Sequence, residues 1–218
     1  MSTYTGKVSP GEPADVRELA GLTISKISVG PTDNNAYLLR DGRTGDGVLI
    51  DAANEADRLL QLIGDTPVRA IITTHRHGDH WQALAEVARA TGASVVAHSL
   101  DAPELPVPVD VTVEHGGTVP VGAATLSVIH LRGHTPGSIA LRYDEPGGHP
   151  HLFTGDSLFP GGVGRTTSPE NFTSLIDDVE ARVFAVLPDE TWFYPGHGND
   201  STLGTERPHL AEWRARGW

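Results

Sequence analysis

The 218-residue chain contains no cysteine. Disulfides, a cysteine nucleophile and thiolate metal ligands are therefore all excluded. Basic residues are also few: 16 Lys and Arg stand against 28 Asp and Glu, a formal net charge of −12. No basic stripe offsets that charge, so nucleic acid is not an expected partner. No apolar stretch approaches the ~18 residues that a membrane span needs, and the N-terminus lacks a basic start followed by an apolar run. A soluble cytoplasmic protein without membrane contact is the expectation. Glycine (25) and proline (16) are abundant, which points to many turns and short connections and away from a helical bundle. The length suits one layered domain.

Residues 75 to 80 read His75-Arg76-His77-Gly78-Asp79-His80, four potential metal ligands in six positions. Imidazole and carboxylate suit zinc, iron or manganese. One helix face cannot hold this run, because His75 and His77 would point in opposed directions there. At the end of an extended strand the two side chains share a side. Gly78 is then expected to permit a sharp bend that returns Asp79 and His80 to the same pocket.

Residues 1–20, rich in Pro, Gly and charge, read as a loosely ordered N-terminal arm, and 21–218 as a single domain. Leu22–Val29, Ala36–Arg40 and Val48–Asp51 are strand-like, separated by Gly/Asp/Asn turns. Leu59, Leu60 and Ile63 give Glu55–Ile63 helical spacing. Val68–Thr74 is an apolar strand with the ligand run at its end. A helix is expected from Asp79 onward, with Trp81, Leu84, Val87 and Ala88 on one face. Further strands are expected over Val95–His98, Val111–Glu114, Ala124–Leu131, Ser138–Tyr143, His151–Thr154 and Thr191–Tyr194. Ser168-Pro169-Glu170 opens a helix, an N-cap followed by proline at the first helical position. Thr205–Arg216 is the expected closing helix. Two β-then-α halves without strict alternation imply an α+β fold, with sheet packed on sheet and helices outside.

Three more polar residues follow strand-like runs, each directly after a glycine: His134, Asp156 and His197. With the first run they make five His and two Asp, enough for two coordination shells. The set His75, His77, Asp79, His80, His134, Asp156, His197 resembles, in the same chain order, that of the metallo-β-lactamase-fold hydrolases. Matches to that family also run through Asn35-Ala36-Tyr37-Leu38-Leu39, Leu49-Ile50-Asp51-Ala52, Thr73-Thr74-His75, Gly155-Asp156-Ser157-Leu158-Phe159 and Gly164-Arg165. The resemblance implies a four-layer αβ/βα sandwich with a dinuclear site. It implies His75, His77 and His134 on one ion, Asp79, His80 and His197 on the other, and Asp156 bridging. Zinc is the first expectation for both ions, with iron or manganese as alternatives.

Segments 194–207 and 158–166 are similar to short, single-domain bacterial hydroxyacylglutathione hydrolases of the glyoxalase II type. Longer members carry an additional C-terminal helical domain that supplies part of the glutathione pocket, whereas this sequence ends at Trp218. The implied activity is hydrolysis of a 2-hydroxyacyl thioester of a low-molecular-weight thiol. Two ions ~3.5–4 Å apart can bring the pKa of a shared water toward ~7, and Asp79 is the residue expected to aim it. A thiolate leaving group, with a pKa of ~8.5, requires no strong general acid. Arg165 is a candidate to clamp a substrate carboxylate. Persulfide oxidation at a single iron and lactone hydrolysis are the alternatives on the same fold. Zinc β-lactamases usually place cysteine where Asp156 stands, which argues against antibiotic hydrolysis. Of the other histidines, His98, His115, His149, His151 and His209 read as surface or strand-end residues. His130, close to His134, is a candidate to orient a ligand. The oligomeric state is left open.

Overall fold

The computed structural model describes residues 4–217. Its first sheet holds β1 (Asp15–Glu18), β2 (Leu22–Val29), β3 (Asn34–Asp41), β4 (Gly47–Ile50), β5 (Val68–Ile72), β6 (Ser94–His98) and β7 (Val111–Val113), paired in that order. Pairs from β1 to β4 are antiparallel and those from β4 to β7 parallel. The second sheet is built from β8 (Thr118–Val121), β9 (Ala124–His130), β10 (Ile139–Asp144) and β11 (Pro150–Gly155). After a short hairpin of β12 (Leu158–Phe159) and β13 (Gly162–Val163), it is completed by β14 (Trp192–Pro195) and β15 (Ser201–Thr202). Its order is β15-β14-β11-β10-β9-β8, and only β11 and β14 run parallel.

Side chains alternate between the faces of a strand, and here both faces are apolar. On β3, Tyr37 and Leu39 point into the space between the sheets, where Ile50, Ile72, Leu126, Leu141, Phe153 and Tyr194 meet them. Ala36 and Leu38 face the other way, with Leu49, Ile71 and Val95, onto α1 (Ala56–Ile63) and α2 (Leu84–Thr91). On the second sheet, Ile129, Ala140, Leu152 and Phe193 face outward onto α3 (Pro169–Val179), and Leu203 of α4 (Leu203–Glu206) and Trp213 of α5 (Leu210–Arg216) join them. Three apolar cores between four layers give an αβ/βα sandwich. Strands buried on both faces read as continuous apolar runs, which is why these were visible in the sequence.

Several expectations are corrected. The N-terminal arm is not loose throughout: Asp15–Glu18 forms the edge strand β1 against Thr23–Lys26. The helix expected from Asp79 begins at Leu84, and Gly78–His80 is a single 3-10 turn. The N–H groups of Gln82 and Ala83 donate to the carbonyls of Ala53 and Ala52, which holds that stretch against the β4–α1 loop. Gly78 is not among the glycines with positive φ, so the bend is made by the 3-10 turn and not by a left-handed glycine. The closing helix is broken at Arg207–His209, because Pro208 has no N–H to continue the ladder. His151, read as a surface or strand-end residue, stands at the start of β11 and is fully buried there.

The arm is fastened by a buried charge. Lys26 and Asp200 have no exposed side-chain surface and meet at 2.6 Å. The Lys26 ammonium also donates to the carbonyls of Gly6 and Gly198, and Tyr4 Oη donates to Asp200. Burial pushes Lys26 down and Asp200 up, and the contact between them opposes both shifts. Removing one partner leaves the other charge buried and unpaired, at a cost of about 3–5 kcal/mol. Lys26→Ala is therefore expected to lower the unfolding free energy by about that amount in urea titrations.

Candidate metal centre

All seven candidate ligands gather at one edge of the sandwich. His75 and His77 follow β5, Asp79 and His80 lie in the 3-10 turn, His134 sits between β9 and β10, Asp156 follows β11 and His197 follows β14. Three of these sources are carboxyl ends of parallel strands, where sites of such sheets gather. Donor atoms of His75, His77 and His134 lie within 4.8 Å of one another, as do those of Asp79, His80 and His197. A third such group, His75, His80 and Asp156, joins the two.

The ring protons decide what these nitrogens can do. His80 Nδ1 donates to Asp51 Oδ2 at 2.9 Å, His134 Nδ1 to the carbonyl of Arg165 at 2.6 Å and His197 Nδ1 to the carbonyl of Thr32 at 2.8 Å. Thr74 gives its hydroxyl proton to Asp51, so its oxygen accepts from His75 Nδ1 at 3.0 Å. With one proton on each ring, four of them therefore present a bare Nε2. His75 and His134 bring theirs to 3.3 Å, and His80 and His197 to 3.2 Å. His77 differs, turning Nδ1 toward His134 Nε2 at 2.9 Å. Two nitrogens bonded to one tetrahedral zinc at 2.0–2.1 Å lie about 3.3 Å apart. The donor set fits divalent ions.

Asp156 lies between the groups. Its Oδ1 is 3.3 Å from His80 Nε2, and its Oδ2 is 3.4 Å from His197 Nε2 and 3.7 Å from His134 Nε2. Oδ1 is buried without a hydrogen-bond partner among the described residues, an orphan that a cation would satisfy. A Cβ on Gly196 would fall 2.1 Å from that oxygen and 2.7 Å from the His80 ring, so only glycine fits. Burial holds His75, His77 and His134 below their ordinary pKa and thus neutral. Burial acts the same way on His80, but Asp156 and Asp51 outweigh it and lift the ring to about 10. Burial would raise Asp156, yet His80 and His197 hold it well below the usual carboxylate range.

A model of the metallo-beta-lactamase superfamily matches residues 29–197. The chain belongs to that superfamily. A hydroxyacylglutathione hydrolase of Fuscovulum blasticum is 39% identical over 169 residues, which are 76% of this chain and 62% of that protein. The chain thus spans less than two thirds of that relative's length. The crystal structure of ETHE1 from Myxococcus xanthus superposes with a TM-score of 0.77 at 30% identity, covering 88% of this chain and 84% of that one. A protein crystallised in a di-iron-bound form superposes at 0.70 with 34% identity, covering 84% and 96%. Hydrolysis is the activity that the Fuscovulum blasticum relative's name carries.

Residues that sequence reasoning did not assign to the site complete it. Asp51 stands at the end of β4 with φ 57° and accepts from Thr74 N, Thr74 Oγ1 and His80 Nδ1. Asn34 donates to Asp79 Oδ2 at 3.0 Å. The sequence marks Asp51 as a carboxylate closing an apolar strand, within a stretch that matches the family, and assigns it no role. The side chain of Arg165 is exposed and makes no ion pair among the described residues, while its carbonyl holds His134. His130 stacks on His98 and bonds to the carbonyl of Pro136, touching no candidate ligand ring. No described helix is long and apolar enough to cross a membrane.

Glu145, His149 and His151 form another potential ligand group, away from this edge. There a cation is already supplied. Arg17 Nη2 lies 3.5 Å from His149 Nε2, and Nη1 donates to Tyr194 Oη, which is 2.9 Å from His151 Nδ1. Burial, with Arg17 beside it, pushes His151 down to about 4. The unfolded chain protonates this ring near pH 6.5, so between pH 6.5 and about 4 it binds more protons than the native state. Stability contributed by neutral His151 is therefore lost as pH falls through that window. Denaturation midpoints of wild type and His151→Gln over this range are expected to show the smaller decline in the variant.

Proposed function

We propose that the protein is a dinuclear thioester hydrolase of the glyoxalase II type, acting on a 2-hydroxyacyl thioester of a low-molecular-weight thiol. His75, His77 and His134 would hold one ion, Asp79, His80 and His197 the other, with Asp156 shared. The observation that carries this reading is the four bare Nε2 atoms facing in pairs at 3.2–3.3 Å around an unpartnered carboxylate oxygen. Bound ions of this kind supply an ionised water near neutral pH and polarise the carbonyl under attack.

The chain's own groups do the positioning. Asn34 fixes the Asp79 carboxylate, and with burial opposing, that bond and His80 keep it below its ordinary pKa. Asp79 therefore accepts a hydrogen bond from the attacking water and aims it. Neither carboxylate of the centre holds a proton to donate, since both Asp79 and Asp156 are lowered. That suits a thiolate, which departs without protonation at a pKa of ~8.5. Arg165, exposed on the segment that holds His134, would meet an anionic substrate group. The 39% identity to a hydroxyacylglutathione hydrolase supports the same bond and acyl class.

A second reading, persulfide oxidation at a single iron, draws on the likeness to ETHE1. One experiment separates them: metal content of protein purified without added metal, followed by hydrolysis of a thioester panel and oxygen uptake on a persulfide. Two ions per chain with thioester turnover is the expected result, and Asp79→Ala is expected to cut kcat by roughly 10²-fold or more. One iron per chain with oxygen uptake and no hydrolysis would overturn the thioesterase reading.

A further inference from the structure

Asp101 lies in the turn after β6 and is buried. It touches no ligand ring, yet its carboxylate reaches both loops that carry the His75, His77 and His134 group. Oδ2 accepts from the backbone N–H of Arg76 at 3.0 Å and from Thr135 Oγ1 at 2.5 Å, and Oδ1 accepts from the N–H of Gly137 at 2.8 Å. Arg76 stands between His75 and His77, and Thr135 directly follows His134. Ser138 extends the contact, because its hydroxyl lies 2.6 Å from Thr135 Oγ1 and accepts from Thr135 N. A Cβ on Gly137 would come within 2.7 Å of the Asp101 side chain, so the second loop needs glycine to approach this closely.

We propose that Asp101 is a positioning residue for the ion held by His75, His77 and His134. Two loops about sixty residues apart in sequence are pinned to one carboxylate, which sets the 2.9 Å approach of His77 to His134 and the 3.3 Å approach of His75 to His134. The group around Asp79, His80 and His197 is anchored differently, through Asp51, Thr32 and Asn34. Loss of the Asp101 clamp thus acts on one ion and not the other. This inference rests on the dinuclear reading above.

Zinc binding to the full chain, measured by competition with a chromophoric chelator, tests it. Wild type is expected to take two equivalents. In Asp101→Asn, one amide N–H₂ faces an N–H or hydroxyl donor, and one equivalent is expected to weaken 10–100-fold while the other changes by less than about threefold. Thr135→Val removes one of the three bonds and leaves the carboxylate, so it serves if Asp101→Asn does not fold. It is expected to weaken the same equivalent by a smaller factor. The cobalt-substituted spectrum should lose intensity for one site only. Wild-type protein binding fewer than two equivalents would defeat the dinuclear reading itself. Two equivalents in wild type, with both or neither weakened in the variants, would overturn the role given to Asp101.

Discussion

Singly protonated imidazoles whose Nε2 atoms face one another at 3.2–3.3 Å, with their Nδ1 protons committed outward, repel unless something positive lies between them. The rest of the site is organised around holding that unfavourable arrangement in place. Asp51, Thr74, Arg165 and Thr32 each take an Nδ1 proton and so fix the ring that carries it. None of these acceptors is itself a candidate ligand. The outer hydrogen bonds are what convert histidines into preorganised donors.

The sandwich supplies the rigidity for this. Strands β4, β5, β11 and β14 are buried on both faces, so their ends have little freedom. Loops leaving those ends carry the polar groups, and tertiary hydrogen bonds tie one loop to the next. Asn35 donates to the carbonyls of Pro195 and Gly198, and Lys26 donates to the latter as well, so the His197 loop is held from the first sheet. Cross-sheet ties of this kind make the centre a property of both halves together.

Much of the frame was legible because doubly buried strands are continuous apolar runs, and the six-residue ligand run is dense enough to state its chemistry. Asp101, Asn34 and Asp51 were not legible in the same way. Each is a single polar residue whose meaning comes from a partner at a distance in sequence: 25 positions from Asp101 to Arg76, 45 from Asn34 to Asp79 and 29 from Asp51 to His80. The edge strand Asp15–Glu18 was missed because Asp-Val-Arg-Glu offers one apolar side chain, and its pairing is made by backbone alone. The start of α2 was misplaced by five residues because the apolar spacing begins at Trp81, while tertiary bonds to Ala52 and Ala53 occupy the intervening N–H groups. The burial of His151 was not legible, because a buried histidine is indistinguishable in sequence from an exposed one until Tyr194 is found beside it.

On the dinuclear reading, seven side chains form two adjoining coordination shells that share Asp156. Anomalous diffraction from crystals of the zinc-loaded protein tests it directly. Two anomalous peaks about 3.5–4 Å apart, one within bonding distance of His75, His77 and His134 and the other of Asp79, His80 and His197, with Asp156 touching both, is the predicted result. A single peak, or ions that leave Asp156 unligated, would contradict it.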